Sequence, residues 1–400
     1  MATNPPLTGG SLRVSHFARA LGEIPGNRVK QISLIPLVDR RKEYNAKIEN
    51  YTETYYRSFL QTFAGMMFII AGLLRVFIAF IPWLFRFVRP NHIVYQMFEW
   101  ADIVQVEGPW LVSWVKRHTG KPICLIAHNV EYDMMRCVTG SFKGLRSLSS
   151  RWIVKAAYNC EQEAVRCSDI IFVVSNEDKD RMMSLYDPDR KKIKIAYNGV
   201  LRDEYPCAGQ KKRSNSRERL GLKKESFIVL FSGSAHPPNV TAALFIRDQL
   251  TPRFTGTMVI FAVIGTVFPR ALRQDNFIST GPVSPLVLND WFAAADITIN
   301  PITEGSGSNI KIFQYLSLEL PVISTLKGAR GMNEKAKRAV VLCCLDDFYK
   351  HIFALYKSKD HYYHYCQKSA SVADLHDYST IAKKVMEFYK ALRTGNKKGR

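Results

Sequence analysis

The chain reads as an α/β protein built from two parallel-sheet halves that face a cleft. Three observations predict this. Short apolar runs alternate with helix-length stretches from one end to the other, a basic stretch at 206–225 interrupts the alternation once, and the alternation then restarts. Strands of a parallel sheet are covered by helices on both faces, so they appear as continuous apolar runs.

The elements follow in order. Gly9-Gly10 stand after Pro5-Pro6 and before Ser11-Leu12-Arg13-Val14, the pattern of a glycine loop opening a helix. Val29–Pro36 is a strand. Ser58–Phe85 carries a single charge, Arg75, within an otherwise apolar run. About 20 such residues would span a bilayer. A central Arg costs about 2.5–3.5 kcal/mol there, however, and Pro82 kinks a helix. A spanning helix, an interfacial element and a buried core helix compete. Arg86 and Arg89 flank the segment and suit lipid phosphates, which favours the interfacial reading of an insertion over 58–88.

Ile103–Val106, Ile123–Ala127, Ile170–Val174 and Ile193–Tyr197 are further strands, with a helix over Ser150–Cys167 among them. Domain one therefore covers 1–205. Between Lys211 and Lys224 seven Lys/Arg stand against Glu218 alone, with no apolar period, so 206–225 reads as a linker or solvated loop. Phe227–Phe231, Val259–Ile264, Ile297–Asn300, Pro321–Ser324 and Val340–Leu345 are the strands of a second domain, 226–375. In the last of these, Cys343-Cys344 is expected to be buried. The segment 376–400 holds a helix, Ser379–Leu392, with Ile381, Val385, Phe388 and Leu392 on one face, and a basic tail expected to fray.

The 400 residues include 56 Lys/Arg and 35 Asp/Glu, a net charge of +21. Nucleic acid, an anionic membrane and a phosphorylated substrate are the partners such a charge suits. The basic stretch lacks interleaved aromatics and no nucleic-acid motif is present, so no nucleic-acid partner is expected. The eight cysteines show no CxxC spacing and no zinc-type cluster. A reduced cytoplasmic chain is expected, with no metal and no signal peptide.

Candidate chemistry sits in the loops at strand ends. Strand Ile297–Asn300 runs into Glu304-Gly305-Ser306-Gly307-Ser308-Asn309, and a helix starts near Ile310. Glycines admit close backbone approach, and free N–H groups at a helix start bind phosphate oxygens. Lys311 adds a cation. The GxxxxGK[ST] pattern is absent, which argues against a P-loop NTPase. Ser232-Gly233-Ser234-Ala235-His236-Pro237-Pro238-Asn239 is a second such loop, with Asn239 suited to an N-cap. Strand Ile123–Ala127 runs directly into His128, which either points into the cleft or satisfies a local backbone group.

In order and spacing, PPLTGGSLRV, IAHNVE, SDIIFVVSNED, IKIAYNGV, FSGSAHPPN, TGPVSPLVLNDWFAAADITINP and GSGSNIKIFQYLSLELPVIST resemble the GT-B glycosyltransferases of the family-4 type. The resemblance covers most of the chain. It implies two Rossmann-like domains and sugar transfer with retention from a nucleotide-diphosphate sugar, without a metal cofactor. It places His128 at the transferred sugar, Glu304 at the sugar hydroxyls, and Gly9 and Gly10 near the phosphates and acceptor. Gly233, Ser234, His236, Ser306, Gly307, Ser308, Asn309 and Lys311 would hold the diphosphate, and Gln314 the ribose. The apolar segment suggests a lipid-linked or cell-envelope glycan acceptor and a peripheral place on the cytoplasmic membrane face.

Four features depart from the family pattern. Gln314 stands where many relatives have Glu, and the spacing from Glu304 is wider. His236-Pro-Pro-Asn239 replaces an Arg/Lys pair. The β-strand that opens relatives either lies upstream or is absent from the sheet. A catalytically weakened membrane-associated binding module is the alternative function.

Overall fold

The structure is a computed structural model. It describes residues 9–35, 45–48, 50–57, 62–63, 66–67, 79–140, 142, 146–205, 207–305 and 309–397. The chain divides into two compact units, residues 1–197 with 381–400, and residues 198–380.

In the first unit α1 (Gly9–Gly22) buries Val14, Phe17, Ala18 and Leu21, the spacing of one helix face. β1 (Val29–Ile35) pairs in parallel with β3 (Tyr51–Arg57), and β2 (Asn45–Ile48) lies antiparallel on the other side of β3. After α2 (Ile81–Leu84) and α3 (His92–Trp100) come β4 (Val104–Glu107), α4 (Val112–His118), β5 (Ile123–Ala127), α5 (Glu131–Gly140), α6 (Arg146–Cys167), β6 (Ile170–Val173), α7 (Asn176–Tyr186) and β7 (Ile193–Ile195). These strands form an all-parallel sheet in the order β4-β5-β6-β7. Every residue of β5 and β6 is buried, as helices on both faces require.

The second unit holds α8 (Gln210–Arg219), β8 (Phe227–Ser232), α9 (Pro237–Phe245), β9 (Val259–Ile264), β10 (Leu272–Gln274), β11 (Phe277–Ser279), α10 (Pro285–Ala294) and β12 (Ile297–Asn300). It continues with α11 (Ile310–Ser317), β13 (Val322–Ser324), β14 (Val341–Leu342), α12 (Phe348–Lys357) and α13 (Lys359–Val372). The sheet order is β10-β11-β9-β8-β12-β13-β14, parallel except for β10. The chain leaves β8 toward β9 and later returns to β12 on the other side of β8. The loops after β8 and β12 therefore diverge, and this reversal of strand order is where open α/β sheets place ligands. The final helix, α14 (Tyr378–Lys397), returns mainly to the first unit, where Phe388 and Tyr389 pack edge-on against Phe172 at 5.8 and 6.1 Å. This anchoring carries helical structure past Leu392, through residues expected to fray.

The stretch expected as a linker is corrected. Residues 210–219 form α8, packed onto the second unit. Arg217 is buried; its Nη2 donates to Asp296 Oδ2 at 2.6 Å and, with Nε, to the carbonyl of Ala294 at 3.0 and 3.1 Å. Ser216 donates to Asp290 at 2.9 Å, and Arg219 pairs with the same carboxylate. The basic residues are thus partly structural. Removing one partner of a buried ion pair costs about 3–5 kcal/mol.

The strand expected through Cys343-Cys344 ends at Leu342, and Cys344 is exposed with Sγ donating to Asp347 at 3.1 Å. Most of the apolar segment, 58–61, 64–65 and 68–78, lies outside the described residues. Among the described residues no helix is long and apolar enough to cross a membrane.

Candidate functional site

The first unit concentrates its polar groups where β4 and β5 end. His128 follows β5 directly. Its Nε2–H donates to Glu107 Oε2 at 2.7 Å, and Glu107 is the last residue of β4. Arg13, buried on α1, donates from Nη1 to His128 Nδ1. Arginine only donates, so Nδ1 must be a lone pair and the ring is the neutral Nε2–H tautomer. Burial and then the Arg13 charge hold the His128 pKa below its ordinary value, against the pull of Glu107. Burial raises the Glu107 carboxyl, but the hydrogen bond from His128, the charge of Arg13 and the amide of Gln105 outweigh it and leave the pKa lowered. The result is a cation and a carboxylate joined through a neutral imidazole. Behind it, Tyr389 Oη donates to Gln105 Oε1 at 2.6 Å, and Gln105 Nε2 donates to Glu107. The C-terminal helix thereby helps orient His128.

Gly9 and Gly10 open α1, four and three residues before Arg13. Gly9 and Gly10, expected as a loop, are thus the first residues of the helix, and residues 1–8 lie outside the described residues.

In the second unit the loops after β8, β9 and β12 converge on the start of α11. Gly233 and Gly265 bring two of them together. A Cβ on Gly265, which has φ of +103°, would lie 2.5 Å from the Gly233 carbonyl oxygen. A Cβ on Gly233 would lie 2.9 Å from Val267 Cγ2 and 3.1 Å from Asn239 Cγ. Neither loop admits a side chain there.

Pro237 and Pro238 occupy the first turn of α9, and His236, exposed, is its N-cap residue through the backbone. Asn239 is therefore inside the helix and is not its cap. Its side chain does other work. Nδ2 donates to the Ser234 carbonyl at 3.1 Å, and Oδ1 accepts from Lys311 Nζ at 2.6 Å. The Lys311 ammonium also lies 4.1 Å from the centroid of Phe231, a favourable cation–π placement. Burial alone pulls the lysine down from 10.5 to about 7. A partly buried lysine with no carboxylate beside it among the described residues is poised for an anion.

Asn309, the N-cap residue of α11, donates from Nδ2 to the Gly328 carbonyl at 3.1 Å. Gln314 donates one of its two amide N–H groups to Tyr205 Oη at 2.9 Å. Glu304 is exposed. Ser306, Gly307 and Ser308 lie outside the described residues. The structure thus brings together Gly233, Ser234 and Lys311, with Asn239 as a member that sequence reasoning assigned to capping. It likewise adds Arg13 and Glu107 beside His128. The signal for the latter pair was available in part, because Glu107 and His128 both stand at the carboxyl ends of neighbouring parallel strands.

Residues 47–204 match the model described as Glycosyltransferase Family 4, and residues 226–358 match Glycosyl transferases group 1. The chain belongs to the family-4 type of GT-B glycosyltransferases. A D-inositol 3-phosphate glycosyltransferase of Streptomyces avermitilis is 28% identical over 160 residues, which is 35% of this chain and 34% of that protein. The enzyme of the same name from Corynebacterium glutamicum is 31% identical over 96 residues, 22% of this chain and 23% of that one. These alignments therefore span about a third or less of the curated glycosyltransferases they match.

Among solved structures, sucrose-phosphate synthase from Thermosynechococcus elongatus superposes with a TM-score of 0.65 at 11% identity, covering 97% of this chain and 94% of that one. Anabaena HepE, solved with UDP and glucose, gives 0.57 at 15% identity over 84% and 86%. At these identities the likeness concerns the GT-B fold.

Proposed function

We propose that this glycosyltransferase moves a sugar, with retention of configuration, from a nucleotide-diphosphate sugar to a lipid-linked or cell-envelope glycan. The observation that carries the proposal is Lys311, a desolvated cation at a helix start, beside a glycine-lined loop at the strand-order reversal of the second unit. HepE, which shares the fold, was solved with UDP and glucose.

In this reading the bond from the sugar's anomeric carbon to the diphosphate breaks, and the bond to the acceptor oxygen forms on the same face. The acceptor's proton passes to the departing phosphate. Negative charge grows on the diphosphate, where Lys311, the backbone around Gly233 and Ser234, and the start of α11 from Asn309 meet it. Ser306, Gly307 and Ser308 would extend that contact. Gln314 keeps its carbonyl oxygen for a ribose hydroxyl, and Glu304 reaches sugar hydroxyls. In the first unit His128, fixed by Arg13 and Glu107, faces the transferred sugar, with Gly9 and Gly10 near the acceptor. Full-length protein incubated with UDP-, GDP- and ADP-sugars and a polyprenyl-phosphate or envelope glycan extract should release nucleoside diphosphate. No release with any donor would refute the reading.

The lipid part rests on a surface patch. Trp83 and Phe87 are 58% and 72% exposed, 5.8 Å apart edge to face, while their neighbours Leu84 and Phe85 are buried in the core. Arg86 and Arg89 are exposed beside them. Aromatic rings among cations suit an anionic headgroup layer, at about 1 kcal/mol per basic residue. A peripheral position on the cytoplasmic membrane face follows in this reading. Trp83→Ser with Phe87→Ser is expected to abolish co-sedimentation with phosphatidylserine-containing vesicles, and neutral vesicles should bind the unaltered protein weakly. Equal binding by the double variant would contradict the patch.

A further inference from the structure

The loop after β8, residues 233–236, carries no Lys or Arg, so the cation of the cradle is Lys311 and its placement depends on what holds it. One side chain of that loop region touches its ammonium. Asn239 Oδ1 lies 2.6 Å from Nζ, while Asn239 Nδ2 donates to the Ser234 carbonyl. The amide thus joins the loop and the lysine. Among the described residues the elements around Nζ bring no counter-charge. β8 contributes Phe231, and α9 contributes Asn239. The ionisable neighbour on α11 is Tyr315, whose hydroxyl is bound to Ser232 and whose pKa burial raises. The adjoining loops carry His236, Glu304 and Lys327, none of whose charges contributes to the lowered Lys311 pKa, which burial alone produces. Residues 306–308 are Ser, Gly and Ser, which bear no titratable group.

We propose that Asn239 is the positioning residue of this cradle, aiming Lys311 at the diphosphate, and that diphosphate binding is coupled to uptake of one proton at Lys311 Nζ. This rests on the diphosphate reading above. An isolated ammonium in that position is disfavoured by desolvation until a dianion arrives. The anion then stabilises the charged form, and solvent supplies the proton. Asn239 Oδ1 accepts best from the charged lysine, so it moves the protonation midpoint upward and holds Nζ in place.

The test is calorimetry of the full chain with UDP, and with GDP if UDP does not bind, in HEPES and in Tris. These buffers differ in ionisation enthalpy, so the difference in observed heat counts protons. At pH 8 the terminal phosphate of the nucleotide is already ionised, and the protein should take up close to one proton per site. At pH 6 it should take up little. Lys311→Arg, which is permanently charged, should bind with no uptake at pH 8. Asn239→Ala should bind roughly tenfold more weakly, the loss of one charge-assisted hydrogen bond, and its uptake midpoint should move to lower pH. Asn239→Asp, which pairs with the lysine, should remove the uptake. A merely structural Asn239 would leave the midpoint in place. Binding without proton uptake, uptake that persists in Lys311→Arg, or an unmoved midpoint in Asn239→Ala would overturn the proposal while leaving the diphosphate reading intact. Failure of both nucleotides to bind would overturn the diphosphate reading and this proposal with it.

Discussion

Lys311→Ala is expected to lower donor turnover by about 10²–10³-fold, the usual effect of removing one fixed group that meets charge developing in a transition state. The fold should survive. Among the described residues Lys311 has no carboxylate partner to be left unpaired, and its hydrogen bond ends on Asn239, which keeps its bond to Ser234. Circular dichroism and the unfolding midpoint should stay close to those of the unaltered chain. The loss should appear in KM as well as in kcat, because the lysine meets the diphosphate when the donor binds and again as charge grows on it while the sugar departs. Steady-state kinetics over a range of donor concentration separates the two. Unchanged turnover in Lys311→Ala would remove the lysine from the chemistry.

Acid is expected to destabilise the second unit through His376. Its ring stacks on Phe313 at 4.3 Å between centroids. Nδ1–H donates to the Asn198 carbonyl at 2.7 Å, and Nε2 accepts from the backbone N–H of Asn333 at 3.0 Å. Both nitrogens are committed to the neutral ring, since a proton on Nε2 would face another N–H. Burial lowers the pKa to about 4 from 6.5, against the hydrogen bond to Asn198. Between those values the unfolded chain binds a proton that the folded chain refuses. Stability is therefore complete above pH 6.5 and falls as pH drops toward 4, by about 3 kcal/mol from this residue.

In the first unit the sign is opposite. Burial, then the charge of Glu161, raises Glu131 to about 8, and burial raises Glu161 to about 6. The folded form of these carboxyls holds protons that the unfolded form releases, so their contribution is present in acid and is lost as pH rises. Urea unfolding at pH 7, 5 and 4 isolates the histidine as the difference between the unaltered chain and His376→Ala. The slope between pH 6.5 and 4 should be shallower in the variant. Equal slopes would show that His376 does not carry the acid sensitivity.

Much of the scaffold was legible because it is written in burial. Ile123–Ala127 and Val259–Ile264 are strands over the same residues that their apolar runs define, since every or nearly every side chain is covered. The strand–loop–helix around Lys311 was legible for the same reason, with a hydrophobic strand ahead and an amphipathic helix behind. Elements whose order comes from polar pairing were not legible. α8 has no apolar period, and its regular feature is Arg213 and Arg217 facing Asp296. β3 buries Tyr51, Glu53 and Tyr55 on one face, and a buried glutamate in the middle breaks the expected alternation. The partners of the candidate site are far apart in the chain. Arg13 meets His128 across 115 positions and Asn239 meets Lys311 across 72. Local pattern carries nothing about such pairs, so Asn239 reads as a cap until the fold places it.

The most direct measurement of the central claim is a thermal-shift series of the full chain with UDP, GDP and ADP and their sugar conjugates. A ligand that binds only the native state stabilises it by about 2.7 kcal/mol at a hundred times its dissociation constant. The account predicts that at least one nucleotide raises the unfolding midpoint, and that Lys311→Ala loses most of that rise. A midpoint unmoved by every nucleotide, or a rise that is undiminished in Lys311→Ala, would contradict it.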